Sequence, residues 1–248
     1  MGWHGVISDD TEWSQEVLVD GDVLVPAGKT LRLAAGTAVR FAPKPSWSCA
    51  VFRSAPEGWP IEATRRELCD LVVQGQLDIL GTEAAPVALG RSEEPWGGLT
   101  FLGRGCGLLR QARFQGARET SLQAFDEARL DCEGCVLRGG EKGLWTWGCA
   151  RVRLSSGEIA AGRWGAICCD ASQVRLERVF FRGGEQGCSA SGWSLVDLAG
   201  CKFEGQSDST VYALDHGWVR LENCALPTPP LHRDQARIDS PAQRGVMV

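Results

Sequence analysis

Val152-Arg153-Leu154, Val174-Arg175-Leu176, Val196-Asp197-Leu198 and Val219-Arg220-Leu221 return along the chain at spacings of 22, 22 and 23 residues. Five residues beyond each leucine stands another apolar side chain: Ile159, Phe181, Phe203 and Leu226. A second block precedes each of these units. It reads Leu99-Thr100-Phe101, Leu122-Gln123-Ala124, Leu144-Trp145-Thr146, Ala166-Ile167-Cys168, Cys188-Ser189-Ala190 and Val211-Tyr212-Ala213. In both blocks the outer two positions are apolar or small and the middle one is mixed, which is the alternation of a strand with two unlike faces. A short fixed period means that each unit buries its apolar face only against its neighbours. Three short strands per unit, joined by bends, make one turn of a parallel β-solenoid.

The bends can be placed as well. Gly103, Asp126, Gly148, Asp170, Gly192 and Asp215 share one column between the two blocks. Glycine adopts positive φ freely and Asp is among the few other residues that tolerate it, so this column predicts a left-handed corner in every coil. Gly116, Gly139, Gly183 and Gly205 mark another bend near the end of the coils. With rungs about 4.8 Å apart, the six regular coils from Leu99 onward form a rod of roughly 30 Å.

The N-terminal part follows the same plan with longer rungs. Gly21 to Val23, Pro26 to Leu31, Gly36 to Phe41, Gly75 to Leu77, Gly81-Thr82, Ala85 to Val87 and Trp96 to Phe101 occur in that order. These segments resemble the opening coils of bacterial right-handed parallel β-helix repeat proteins of the pectate-lyase-like solenoid superfamily. With the repeats, the resemblance spans about residues 15 to 226. It implies a right-handed, all-β parallel β-helix, here of about eight coils. The expected organisation is one β-helix domain over 1–226, with irregular coils over 1–98 and regular coils over 99–226. Two segments break the period: an insertion over 43–70, carrying Trp47, Cys49, Trp59 and Cys69, and a proline-punctuated tail over 227–248. The stretch from Ile61 to Leu68 predicts a short helix with Glu62 and Arg66 one turn apart. The tail is expected to be extended or disordered. Either segment is suited to covering an end of the solenoid, where open strand edges would otherwise invite end-to-end association with another chain.

Composition removes some function classes. The 248 residues carry 26 Lys and Arg against 31 Asp and Glu, a net charge of −5, so there is no basic footprint for nucleic acid. Met1-Gly2-Trp3-His4 lacks the basic start and apolar run of a secretion signal, and no stretch reaches the ~18 apolar residues of a membrane span. The expectation is a soluble protein without membrane insertion, either cytoplasmic or secreted with its signal removed.

Among reactive residue types, the eleven cysteines come first. Cys132, Cys135, Cys168, Cys188, Cys201 and Cys224 fall in columns occupied elsewhere by Leu, Val, Ala or Gly, so they are expected to be small apolar core residues. Cys201 and Cys224 share a column in adjacent coils, a separation that permits a disulfide. Cys132-x-x-Cys135 is half of a zinc site with no second pair at ligand spacing, and His4, His216 and His232 are scattered, so no metal is expected.

Asp126, Asp170 and Asp215 stand two coils apart, roughly 9.6 Å by rung spacing, at the margin of the separation used by inverting glycosidases. The resemblance implies an alternative use. Pectin-processing β-helices hydrolyse with clustered Asp residues, or eliminate with Asp-bound calcium and an Arg base that Arg175 could supply. Calcium enters only in that case; otherwise no cofactor is expected. Against this, Asp131 and Asp197 interrupt the arginine ladder, as on an ordinary solvated face.

Aromatic residues form the stronger lead. Trp145 and Tyr212 lie in the outward middle column, and Trp147, Trp193 and Trp218 at or near corners. Flat rings on a rigid sheet can stack on sugars, whereas the single threonine of the middle column does not make an ice-binding array. Three classes follow: a non-catalytic binding or surface module for a glycan, a polysaccharide lyase or glycoside hydrolase acting on an acidic polysaccharide, and a self-associating scaffold.

Overall fold

The structure, a computed structural model, describes residues 2–43, 68–91 and 93–240. These residues contain no helix; they form two parallel sheets of seventeen and ten strands. The chain winds as a β-solenoid in which every regular coil runs strand, corner, strand, turn, strand, bend. The coil from Lys142 is representative. Lys142–Thr146 lies on a first face, Arg151–Ser155 on a second and Glu158–Ala160 on a third. The second faces alone build the ten-stranded sheet.

Register follows the sequence columns. On the second face Leu130, Val152, Val174, Val196, Val219 and Ile238 pair in turn, and Cys132, Leu154, Leu176, Leu198 and Leu221 form the next inward column. On the third face Ile159, Phe181 and Phe203 stack, the two phenyl rings 4.6 Å apart and 6° from parallel. All these side chains are buried in one continuous core. Stacking of identical residues on successive rungs places apolar surface against apolar surface at every step, which is the main stabilising term of a repeat fold.

Room for the third-face rings comes from a glycine column on the first face. A Cβ added to Gly165 would lie 2.7 Å from Phe181 Cδ1, and one added to Gly187 would lie 2.7 Å from Phe203 Cδ1. Large residues on one wall are thus matched by bare backbone on another.

Ten coils are present where about eight are expected. The additional ones sit at the ends. Thr11–Trp13 pairs beneath Thr30–Leu33, with Trp13 only 2% exposed, and Arg237–Asp239 pairs above Trp218–Glu222 with Ile238 buried on Val219. The segment from Pro227 is therefore corrected in part. Leu231–His232 and Arg237–Asp239 continue the first and second faces because Ile238 supplies the inward apolar residue that the rung below requires. The insertion's Trp47, Cys49 and Trp59, and residues 61–67 of its expected helix, lie outside the described residues, as do 241–248. Among the described residues no helix is long and apolar enough to cross a membrane.

Candidate functional site

The aspartate column is a corner. Asp126, Asp170 and Asp215 have φ of 59°, 59° and 58°, and Gly103, Gly148 and Gly192 alternate with them at 62°, 73° and 64°. The carboxylates reach back along the axis: Gly103 N–H donates to Asp126 Oδ2 at 2.9 Å, and Gly192 N–H to Asp215 Oδ2 at 3.4 Å. Asp126 and Asp215 therefore each satisfy an amide of the preceding rung, a local side-chain-to-backbone bond typical of Asp in turns. The alternation has a steric counterpart. A Cβ at Gly148 would stand 3.0 Å from Asp126 Cα, N and O, and a Cβ at Gly192 3.0 Å from Asp170 Cα and N.

Arg175 lies elsewhere, in an outward column of the second face together with Asp131, Arg153, Asp197 and Arg220. Its guanidinium bonds Glu177, which also accepts from Arg153 Nη2 at 3.3 Å. Those two arginines, Arg175 first, hold the Glu177 carboxyl below its ordinary range. Arg220 makes a two-pronged bond to Asp197, at 2.5 and 2.9 Å. No described group of three or more His, Cys, Asp or Glu side chains comes together as a metal site.

A shallow groove of about 510 Å³ runs along this second face. Leu130, Val152 and Val174 line it together with Arg129, Arg151, Arg153 and Arg175. None of Asp126, Asp170 and Asp215 does. Arg129 and Arg151 are register partners on adjacent rungs and form no ion pair among the described residues. Sequence reading passed over this pair, although its column is legible as the residue just before each Val-x-Leu block.

The aromatic residues divide among three places. Trp145 and Tyr212 do share the outward column of the first face, three rungs apart, with Ile167 and Ser189 between them. Both are half-buried. Trp145 meets Phe125 edge-on at 5.6 Å, and the Lys142 ammonium sits 4.7 Å from its ring. Trp147 is at the corner of its coil and 36% exposed.

Among the described residues Trp193 is the most exposed aromatic side chain, at 70%, and directly follows the Gly192 corner. His216 holds the equivalent place one rung on, and the two rings stack at 4.0 Å. Two residues after each come Leu195 and Trp218, which are register partners on the second face. Trp218 donates its indole N–H to Asp239 Oδ2 at 3.2 Å and lies 5.3 and 5.2 Å from the guanidinium groups of Arg220 and Arg237. Leu195 also lines the arginine groove, so it links the exposed Trp193–His216 stack, two residues earlier in each coil, to that groove. His216, one of three scattered histidines in the sequence, becomes part of a surface only through the stacking of coils.

The inward cysteines behave as core residues: Cys132, Cys135, Cys168, Cys188 and Cys201 are buried and Cys224 is half-buried, all as free thiols.

Comparison with known proteins adds no assignment: no family model, no curated protein and no solved structure matches the chain.

Proposed function

We propose that the protein is a non-catalytic binding module whose ligand is a glycan carrying acidic groups, bound across the second face of the solenoid. The observation that carries this reading is the Trp193–His216 stack two residues before Leu195 and Trp218, Leu195 itself lining a groove in which Arg129 and Arg151 have no carboxylate partner among the described residues. A flat exposed ring offers a sugar an apolar platform, and unpaired guanidinium groups bind carboxylate or sulfate through two parallel hydrogen bonds. Successive rungs stand about 4.8 Å apart, so the parallel ladder presents these groups on a fixed backbone pitch and only side-chain freedom is lost on binding.

The same observations favour binding over hydrolysis or elimination. Positive φ accounts for the aspartates, and Glu177 occupies Arg175. The first-coil motifs support grouping the chain with bacterial right-handed β-helix repeat proteins; the choice of a glycan rests on the surface chemistry instead.

The test is retention on an array of neutral, carboxylated and sulfated oligosaccharides, with product release monitored in parallel. Binding confined to acidic glycans, weakened about tenfold in both Trp193→Ala and Arg151→Gln, is expected; a tenfold loss corresponds to ~1.4 kcal/mol. Absence of any glycan binding, or release of cleaved product, would refute the proposal.

A further inference from the structure

The thiols of Cys201 and Cys224 are set apart from the other core cysteines by their place near the C-terminal end of the solenoid. They occupy one column, the first residue after the turn that leaves the second face, which Cys135, Gly157 and Val179 fill in earlier coils. Their rungs are in register: Lys202 pairs with Ala225, and the Ala225 N–H donates to Cys201 O at 3.1 Å. Equivalent Cα atoms on neighbouring strands lie about 4.8 Å apart, inside the 4.4–6.8 Å window of disulfides.

Their sulfurs also point the same way. Cys201 Sγ–H donates to Leu176 O at 3.2 Å and Cys224 Sγ–H to Leu198 O at 3.3 Å, and Leu176 and Leu198 are themselves register partners. Cys201 is fully buried, whereas Cys224 is only half-buried. The neighbouring Cys201 thiol draws the Cys224 thiol down to about 7, while Cys224 and burial together push Cys201 up. A thiol that ionises near neutral pH and reaches solvent is the reactive member of such a pair. By contrast, Cys132 and Cys135 are both fully buried.

We propose that Cys201 and Cys224 form a thiol–disulfide exchange site, with Cys224 attacking a small-molecule disulfide and Cys201 resolving the adduct. In the first step the Cys224 thiolate attacks one sulfur of the small disulfide. The S–S bond breaks, one small thiolate leaves and takes a proton from water, and a mixed disulfide remains on Cys224. In the second step Cys201 attacks the Cys224 sulfur, the mixed S–S bond breaks, and the departing small thiolate takes up the proton that Cys201 loses. The protein pair is oxidised by two electrons and the small disulfide is reduced by two. The product ties the two last complete coils across 23 residues of chain.

Oxidised glutathione is the probe, applied to the full chain at neutral pH and followed by peptide mapping. The expected product is a Cys201–Cys224 cross-link, with the unfolding midpoint raised by about 6 °C and restored by dithiothreitol. Exposed Cys149 should stop at the mixed disulfide and serves as the internal reference. Cys201→Ser should trap glutathione on Cys224; Cys201→Val, with the residue that Val179 already supplies in this column, gives the same trap if the serine variant fails to fold. A wild-type map in which Cys224 keeps glutathione while Cys201 stays reduced would overturn the proposal. So would cross-linking of Cys224 to any other cysteine, or failure of Cys224 to react where Cys149 does.

Discussion

Trp193 and His216 lie face to face, with ring centroids 4.0 Å apart and planes 18° from parallel, although 23 residues separate them in the chain. Each sits just after a left-handed corner residue, Gly192 and Asp215, so the corner geometry aims both rings outward from successive rungs.

Because Trp193 is 70% exposed, its removal takes away surface and not core. Trp193→Ala should leave the unfolding free energy within about 0.5 kcal/mol of the parent. The same variant should lose glycan binding. A chemical denaturation curve beside a binding isotherm separates the two effects.

The corner reading of the aspartates predicts a ranking of substitutions by backbone preference. Asp170→Gly should be nearly neutral, whereas Asp170→Val should cost roughly 1–2 kcal/mol, since a β-branched residue resists φ near +60°. Asp126→Asn retains the left-handed preference but weakens the bond from Gly103 N–H, for a loss of about 1 kcal/mol. Equilibrium unfolding of the three variants tests the order.

Gly165 and Gly187 should not accept a methyl group. A Cβ at Gly165 would stand 2.3 Å from Gly187 O as well as 2.7 Å from Phe181, so Gly165→Ala must shift backbone or ring. The expected cost is about 1–3 kcal/mol, read as a fall in the denaturation midpoint.

Acid should weaken the fold through the surface carboxylates. Glu94 is held below its ordinary range by Arg40, and Glu177 by Arg175 and Arg153. A carboxyl with a lowered native pKa contributes stability that is complete above its unfolded value, about 4.3 for Glu, and lost as pH falls through the native value. Thermal unfolding should therefore shift down below about pH 4. In Glu177→Gln part of that shift should disappear, and because its partner Arg175 is solvent-exposed the contribution is small.

The apolar columns were readable from the chain because every rung repeats the same burial, as Val152 through Val219 and Leu154 through Leu221 show. The Asp/Gly corner was readable for the same reason: few residue types tolerate it. A second left-handed column, Gln111, Gly134, Ser156, Arg178, Gly200 and Asn223, with φ between 49° and 63°, was not. That tight turn constrains the backbone alone and leaves the side chain in solvent, so six positions carry five residue types. The end coils escaped notice because a terminal rung has one neighbour and needs only a single anchoring residue, Trp13 or Ile238. Trp193 was visible as an aromatic residue, but its partnership with His216 arises only when coils stack.

The alternation at the corner gives the solenoid a parity. Equivalent residues recur every 44 or 45 positions, from Gly103 to Gly148 to Gly192 and from Asp126 to Asp170 to Asp215. Copying one inner coil would set glycine beside glycine or aspartate beside aspartate, as the last rung already does where Asp234, with φ of 58°, follows Asp215. Copying two would keep the glycine–aspartate order, so a pair of coils is the unit by which this column's alternation can be extended.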